Sequence, residues 1–332
     1  MKIDIYAHVG TPRFIEERFR NKPMPEYVRI RMKAISDLET RFRLMDRYEG
    51  YVQILTPSGT PLEILPRDES VHLAKTINDE MSEWVAKYPD RFPAAVAALP
   101  MNDLDVALLE LDRAIKDLGM KGVLIYTDIN GKLLDSPDLM PLYEKMVGYD
   151  LPIWLHPHPW GKQENPDYVN KKRETFFILE RTFGWPYETS LAMGRLVFGG
   201  VMEKYPDLKI ITHHCGGQVP FLTERIEKFY ENVDTEEKVK TREKLSPHKT
   251  VLDYLRMFYT DTALYGNTPA LMCGYAFYGA DRLLFGTDMP YGGPEGDEVV
   301  ASTIEAVNEM NITDSEKKKI YEDNAKKLLK LS

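Results

Sequence analysis

Short apolar runs alternate with amphipathic helical stretches along almost the whole chain. Several runs are continuously apolar, such as VLIY, IIT and LLFG, which is typical of parallel strands covered on both faces. Eight strands are predicted, at Ile3–His8, Tyr51–Thr56, Phe92–Leu99, Gly122–Tyr126, Pro152–His156, Lys209–His213, Arg256–Thr260 and Leu283–Gly286. Helical periodicity separates them, at His72–Lys87, Val106–Leu118, Leu139–Val147, Thr189–Lys204, Val219–Tyr230, Pro269–Tyr278 and Glu298–Glu309.

This alternation predicts an α/β fold, a single (β/α)₈ barrel domain over residues 1–332. An open doubly wound sheet is the rival, but no glycine-rich phosphate loop follows the first strand. Two insertions, at residues 11–37 and 161–186, follow the carboxyl ends of strands, the face on which barrel active sites are built. We expect them to cover the barrel mouth or to contact another subunit. A final helix at 314–331 is expected to begin with Thr313 or Asp314 as its cap.

Composition excludes several classes of protein. The net charge is −9 with no basic cluster, which argues against a nucleic-acid surface or an anionic-membrane anchor. No apolar run approaches the roughly 20 residues that span a bilayer, and the first residues lack a secretory signal pattern. Two cysteines, Cys215 and Cys273, form neither a disulfide scaffold nor a CxxC metal pair. A cytoplasmic location is therefore expected.

Five of the seven histidines fall at or just past the ends of three predicted strands. They are His8 after strand one, His156 and His158 after strand five, and His213 and His214 after strand six. A single histidine at a strand end is more often structural. Five on the same face of one barrel indicate a functional site.

The local sequence suggests how each histidine is presented. Pro157 turns the chain away from the strand, so His156 can point into the barrel mouth, whereas His158 is expected to make a loop hydrogen bond. His213 and His214 are adjacent, so only one of them can face the barrel axis if both remain in the strand. Two glycines follow, which would let the backbone approach a ligand.

Two carboxylates accompany the histidines. Asp288 ends the last strand in LLFGTDMP, and Asp261 follows strand seven in FYTDTA. Alone, Asp288 would be read as a turn cap. Converging with imidazoles, it instead suits a divalent metal such as Zn²⁺ or Mn²⁺. Asp261 is expected to support a metal ligand or to position the substrate.

Several motifs in the same order carry a family resemblance. They are DIYAHVG, WLHPHP, ETSLAMGRLVFGGVMEKYPDLKIITHHCGGQVPF and RLLFGTDMP. The chain resembles the amidohydrolase-related family, which includes aminocarboxymuconate-semialdehyde decarboxylase, γ-resorcylate and related hydroxybenzoate decarboxylases, and some hydratases and hydrolases. The resemblance covers nearly the whole chain, and the run leading into the double glycine is its most specific part.

The resemblance implies roles for individual residues. His8, His156 and Asp288 match metal ligands, and Asp288 is also a catalytic candidate. His214 matches the catalytic histidine, with His213 as an outward-facing neighbour. Arg225 matches a position that holds the substrate carboxylate, from the same or a neighbouring subunit, although a surface helix charge explains it equally well.

Tyr6 is the main departure from the family pattern. The better-known members carry His or Glu at this first metal position, and a neutral phenol with a pKa near 10 is a poor ligand. Tyr6 would ligate as a phenolate, or three protein ligands would leave open positions for water and substrate, or metal affinity would be lost. The second outcome is preferred because catalytic sites usually keep open positions.

The function that the resemblance implies is metal-dependent, non-oxidative decarboxylation of an aromatic or unsaturated carboxylic acid, in a homodimer or higher homo-oligomer. One divalent ion is expected, Zn²⁺ ahead of Mn²⁺, and no lysine is placed to bridge two metals. His214 or Asp288 would deliver the proton. Substrate contacts are predicted for Arg225, Tyr6, Asp261 and Trp185, and an aromatic wall for Trp160, Trp185, Phe176 and Tyr291.

Two other functions fit the same residues. One is a hydrolase of the same superfamily, in which His214 or Asp288 activates a metal-bound water against an amide, ester or lactone. The other is a binding protein that has lost its metal because of Tyr6. Neither composition nor motif spacing separates the hydrolase from the decarboxylase.

Overall fold

The computed structural model describes residues 1–20, 33–58, 61–158, 179–232, 236, 241, 243–293 and 296–331. The strands within these ranges are β1 (Lys2–Val9), β2 (Tyr51–Pro57), β3 (Ala94–Ala95), β4 (Ala97–Ala98), β5 (Val123–Tyr126), β6 (Asp128–Ile129), β7 (Lys132–Leu133), β8 (Ile153–His156), β9 (Ile210–Thr212), β10 (Tyr259–Asp261) and β11 (Leu283–Leu284). β6 and β7 form a small antiparallel hairpin, and the other strands pair in parallel.

The parallel strands close into a (β/α)₈ barrel. Their order is β1-β2-β3 and β4-β5-β8-β9-β10-β11, and β3 and β4 are two parts of an interrupted third strand. Val96, between those two parts, donates its backbone N–H to the carbonyl of Leu55. Ile5 donates to Phe285 at 3.0 Å, which joins the first strand to the last. The described residues therefore supply eight barrel positions, as predicted.

Helices surround this barrel. The α-helices run over Pro12–Phe19, Leu38–Met45, Arg67–Lys87, Leu104–Lys116, Met140–Tyr149, Trp185–Phe198, Val201–Lys204, Thr223–Asn232, Val251–Leu255, Thr268–Tyr278, Asp297–Glu309, Asp314–Lys318 and Asn324–Leu329. Short 3₁₀ turns lie at Leu62–Ile64, Pro137–Leu139, His214–Gly216 and Ala280–Arg282, and π-helical turns at Glu180–Gly184 and Lys319–Asp323. None of the described helices has both the length and the apolar character needed to cross a membrane.

Most predicted elements are confirmed, with differences at their ends. The seventh strand was predicted at Arg256–Thr260 but lies at Tyr259–Asp261, because a helix at Val251–Leu255 precedes it. That helix begins at a reciprocal cap between Thr250 and Asp253, which satisfies two otherwise unpaired N–H groups. The predicted C-terminal helix is divided into Asp314–Lys318, a π-helical turn and Asn324–Leu329, and Thr313 caps its first part, as predicted, in the same reciprocal way.

The barrel interior is apolar below the site. Ile3, Ile5, Ile54, Trp154 and Leu284 fill it, all essentially inaccessible to solvent. Ala325, Leu328 and Leu329 of the last helix pack against the same cluster. A packed interior of this kind leaves the carboxyl ends of the strands as the face on which polar residues can gather.

The two predicted insertions are described only in part. Residues 21–32 of the first and 161–178 of the second lie outside the described ranges, together with Trp160, Phe176 and Phe177. In the first, the helix Pro12–Phe19 is fixed to the helix Arg67–Lys87 by Glu80, which accepts hydrogen bonds from the Thr11 hydroxyl and the Phe14 N–H. The described end of the second, residues 179–186, lies at the mouth of the cavity described below.

Candidate active site

Four imidazoles and one carboxylate meet at the carboxyl ends of the strands. Asp288 Oδ1 lies 3.2 Å from His8 Nε2 and 3.3 Å from His213 Nε2, and Asp288 Oδ2 lies 3.7 Å from His214 Nε2. The ring of His156 is centred 5.2 Å from that of His8 and 5.1 Å from that of His213. The fold therefore gathers residues that are separated by as many as 280 positions in sequence.

The backbone fixes the orientation of two of these imidazoles. His8 Nδ1 lies 3.3 Å from the Pro57 carbonyl and His156 Nδ1 lies 2.7 Å from the Pro157 carbonyl. A carbonyl only accepts, so each Nδ1 carries a proton, and Nε2 is the ring nitrogen left to bind a metal. The buried Arg41 guanidinium also donates to the His8 carbonyl, which holds the end of β1 in place.

His213 does not face outward as the sequence suggested. It is fully buried inside the barrel, and its ring lies only 3.8 Å from that of His214, centre to centre. Strand alternation does not apply here because β9 ends at Thr212 and His214 has a left-handed backbone with φ 54°. The turn brings both imidazoles to the same side of the chain, so both reach Asp288.

Asp261 holds this turn together. Its carboxylate accepts a hydrogen bond from His213 Nδ1 and also from the backbone N–H groups of His214, Cys215 and Ala263. Asp261 is fully buried and is not among the residues that line the cavity, and its contacts place it to position His213. Its predicted supporting role agrees with this geometry.

Electrostatics differ among the clustered groups. Burial alone would lower the pKa of His213, but the charges of Asp261 and Asp288 outweigh it and raise the pKa to about 9. Burial, reinforced by the charge of His213, lowers the pKa of both His156 and His214. Burial would raise the pKa of Asp288, but the neighbouring imidazoles hold it well below its usual range. His156 and His214 are therefore neutral near pH 7, and Asp288 is ionised.

Tyr6 lies beneath the histidines. Its ring stacks on His213 with centres 4.0 Å apart and an angle of 14° between the planes. Its hydroxyl donates to the Leu155 carbonyl at 3.3 Å, and burial together with Asp261 and Asp288 raises its pKa well above 10. Tyr6 is therefore a neutral phenol bonded to the backbone, and it does not reach the cavity wall.

The donor set fits a divalent metal. Potential ligand atoms lie within 4.8 Å of one another in two groups that share His213. The first group is His8, His156 and His213, and the second is His213, His214 and Asp288. Among the described residues, His8 Nε2 and His213 Nε2 are buried and lack a partner with hydrogen-bond geometry, although both lie near Asp288. Buried nitrogens left in this way need a ligand to compensate their desolvation.

A cavity of about 590 Å³ opens above this cluster. Its wall contains the predicted residues His8, His156, Trp185, His214, Asp288 and Tyr291, together with Pro57, Ser58, Tyr126, Arg181, Thr182, Pro186, Ala263, Leu264 and Tyr265. The Trp185 ring stacks at 6.2 Å from that of His214, and the Tyr291 hydroxyl bonds the Ser58 hydroxyl at 2.5 Å. Flat aromatic walls over a polar floor suit a planar organic ligand.

Sequence reasoning missed some residues of the site. Arg181 was overlooked because it lies within an insertion, where no periodic pattern marks it. Tyr126 was recognised only as the end of a strand. Strand alternation left open which of His213 and His214 faces the axis, and the resemblance gave that place to His214. The sequence does carry a signal that the strand ends near His213, because Gly216 and Gly217 follow closely and glycines favour a turn.

Arg225 is not brought to the cavity in this chain. It lies on the exposed helix Thr223–Asn232, with its guanidinium 4.5 Å from the centre of the Phe229 ring. The two glycines after Cys215 also differ from expectation. A Cβ at Gly216 would overlap the Tyr278 hydroxyl and one at Gly217 the Pro186 carbonyl, so these glycines allow close packing of the turn and not the approach of a ligand.

An eight-stranded barrel with a histidine and aspartate centre at the carboxyl ends of its strands defines a metal-dependent barrel enzyme. The amidohydrolase family model matches residues 34–331. The chain therefore belongs to the amidohydrolase family, as the sequence motifs indicated.

Several proteins to which the chain is similar are named as decarboxylases. The γ-resorcylate decarboxylase of Polaromonas sp. is 30% identical over 100% of this chain and 99% of its own length. The 2-amino-3-carboxymuconate-6-semialdehyde decarboxylase of Dictyostelium discoideum is 30% identical over 84% of this chain and 73% of its own. The crystal structure of a dihydroxybenzoic acid decarboxylase from Polaromonas sp. JS666, with manganese and 2-nitroresorcinol bound, superposes with a TM-score of 0.82 at 27% identity, covering 99% and 96% of the two chains.

Proposed function

We propose that this protein is a metal-dependent, non-oxidative decarboxylase of an aromatic or unsaturated carboxylic acid. One observation carries the proposal: His8, His156 and Asp288 converge on the floor of an aromatic-walled cavity in a chain whose full-length relatives are decarboxylases. Metal ligands, proton-transfer groups and a slot for a planar substrate are thereby combined in one site.

His8, His156 and Asp288 would hold the ion. Bound by these three residues, a divalent ion would supply Lewis-acid chemistry to an anionic substrate. The nitrogen-rich donor set supports Zn²⁺, the ion expected from the sequence, whereas the manganese-containing structural neighbour supports Mn²⁺. Elemental analysis of the purified protein, followed by reconstitution with each ion, decides between them.

The reaction needs a proton at the carbon that bears the carboxylate. The bond between that carbon and the carboxyl carbon breaks, the electron pair returns to the ring, and CO₂ leaves without any oxidant. The pair His214–Asp288 is placed to relay a proton because both side chains line the cavity, with His214 Nε2 3.7 Å from Asp288 Oδ2. His214 is neutral and Asp288 is ionised near pH 7, so the pair would first take up that proton from solvent or from the substrate. Trp185, stacked against His214, would hold a flat substrate beside the pair.

The cavity also supplies a cation for an anionic substrate. Arg181 lines the wall, with its guanidinium 5.9 Å from the centre of the Trp185 ring. Arg225 would reach a site only in an assembly of several chains. The homo-oligomer and the substrate contact of Arg225 therefore stay predictions, and sedimentation of the purified protein tests the first of them.

Substrate profiling tests the proposed function. Metal-replete enzyme is supplied with hydroxybenzoates and with 2-amino-3-carboxymuconate-6-semialdehyde, and CO₂ is measured together with the decarboxylated product. The same preparation is supplied with amides, esters and lactones. We expect CO₂ in stoichiometric amounts with product from at least one carboxylic acid. Hydrolysis without release of CO₂ would instead identify the metal-dependent hydrolase considered above.

A further inference from the structure

We infer that His213 is a fourth protein ligand of the divalent ion, replacing the ligand that Tyr6 cannot provide. The inference rests on the proposed metal site and extends it to a residue outside the ligand set His8, His156 and Asp288. It concerns which side chain of the barrel completes the coordination.

Tyr6 itself is committed elsewhere. Its hydroxyl is bonded to the Leu155 carbonyl, and its ring lies flat beneath His213. In this position the Tyr6 ring packs against one face of the His213 imidazole and restricts its orientation. Tyr6 thus contributes to the site through the orientation of His213.

His213 has the features of a built ligand. It belongs to both groups, so a ring nitrogen of His213 lies within 4.8 Å of potential ligand atoms of His8 and His156 in one group and of His214 and Asp288 in the other. His213 Nε2 is buried, has no hydrogen-bond partner among the described residues and lies 3.3 Å from Asp288 Oδ1. An ion bound by Asp288 would therefore also be within reach of this nitrogen.

Asp261 completes the arrangement from the other side of the ring. It accepts the hydrogen bond from His213 Nδ1, which leaves Nε2 as the nitrogen that faces Asp288 and that would give up its proton when a metal binds. A carboxylate behind a metal-bound histidine fixes the tautomer and the ring orientation in this way. The carboxylate is itself fixed by three backbone N–H groups.

The adjacent His214 lacks this support. Its Nδ1 has no hydrogen-bond partner among the described residues, its Nε2 is farther from Asp288, and its ring faces the cavity next to Trp185. The two adjacent histidines therefore have different roles. His213 coordinates the ion, and His214 is left free to transfer a proton.

Metal affinity of the variants tests the inference. Apo-protein is titrated with Zn²⁺ and Mn²⁺ in competition with a chelator, for the wild type and for His213→Ala, His214→Asn, Tyr6→Phe and Asp261→Asn. We expect a loss of affinity of about 100-fold or more in His213→Ala and of about 10- to 100-fold in Asp261→Asn. His214→Asn and Tyr6→Phe are expected to bind like the wild type.

Two further measurements separate coordination from folding. The visible spectrum of the Co²⁺-loaded protein should change in His213→Ala and stay unchanged in His214→Asn, while far-ultraviolet circular dichroism of the apo-proteins establishes that each variant is folded. The double variant Tyr6→His/His213→Ala returns an imidazole to the first-strand position and should regain affinity. If His213→Ala retains wild-type affinity and spectrum, or if Tyr6→Phe loses the ion, the inference is overturned.

Failure of this inference differs from failure of the proposed function. A His213→Ala enzyme that binds metal normally and releases CO₂ would refute the ligand assignment and leave the decarboxylase standing. Conversely, weakened metal binding in His213→Ala, with no CO₂ released by the wild type from any acid, would support the ligand and refute the decarboxylase.

Discussion

Glu63 is a buried acid whose removal should change how the stability of the protein depends on pH. It lies in the turn Leu62–Ile64, 3% exposed, and its Oε1 has no hydrogen-bond partner among the described residues. Burial, with a smaller contribution from Asp128, raises the pKa of Glu63 from 4.5 to about 8. It borders a small cavity of about 20 Å³ that is also lined by Ser58 and Tyr126, two residues of the site wall.

The direction of the effect follows from the raised pKa. The folded protein favours the neutral form of Glu63 more than the unfolded chain does. The stability gained from protonation of Glu63 is therefore fully present below pH 4.5 and is lost as the pH rises to about 8. One pKa unit corresponds to about 1.4 kcal/mol. Between pH 5 and pH 8 the ionisation of Glu63 should therefore lower the free energy of unfolding by about 3 kcal/mol.

The substitution Glu63→Gln removes this ionisation. Urea unfolding of metal-free protein, followed by circular dichroism at pH 5 and pH 8, measures the free energy of unfolding of the variant and of the wild type. The difference between the two proteins should move by about 3 kcal/mol in favour of the variant at the higher pH. Glu144→Gln, at an exposed position of the helix Met140–Tyr149, is the matched control for removing one carboxylate. Parallel pH profiles for Glu63→Gln and the wild type would refute the reasoning.

Three further substitutions test other parts of the molecule. Asp288→Asn should lower CO₂ release by about 100-fold or more and also weaken metal binding, because one carboxylate serves both roles; unchanged steady-state rates would contradict this. Gly216→Ala should lower the free energy of unfolding by about 1–3 kcal/mol more than Gly119→Ala, since both have a positive φ but only Gly216 meets a neighbouring atom, the Tyr278 hydroxyl. Arg41→Ala should cost about 3 kcal/mol in urea unfolding, because it leaves the Gln53 amide oxygen and the His8 carbonyl without their buried donor; a loss below about 1 kcal/mol would count against this.

Local sequence patterns determined the architecture of this protein. Alternating apolar runs and helical periodicity predicted the barrel, because strands covered on both faces must be apolar throughout and surface helices must be amphipathic. The motifs around His8, His156 and Asp288 identified the family and its decarboxylase relatives, which the comparisons confirm. They also located the candidate site, since in a barrel every strand ends on the same face.

Side-chain direction beyond a strand end was decided only by the tertiary structure. The prediction that His213 points outward followed from the resemblance, which placed His214 in the site, and from strand alternation, which lets only one of the two face the axis. It is wrong because alternation holds only while the strand continues, and the left-handed backbone at His214 ends the strand. Asp261, 48 positions later, then fixes the imidazole of His213. Arg181 likewise reaches the cavity through the path of an insertion, and Arg225 lies away from it on an exposed helix. Sequence patterns report which residues lie at a face, but contacts between distant segments decide which atoms meet there.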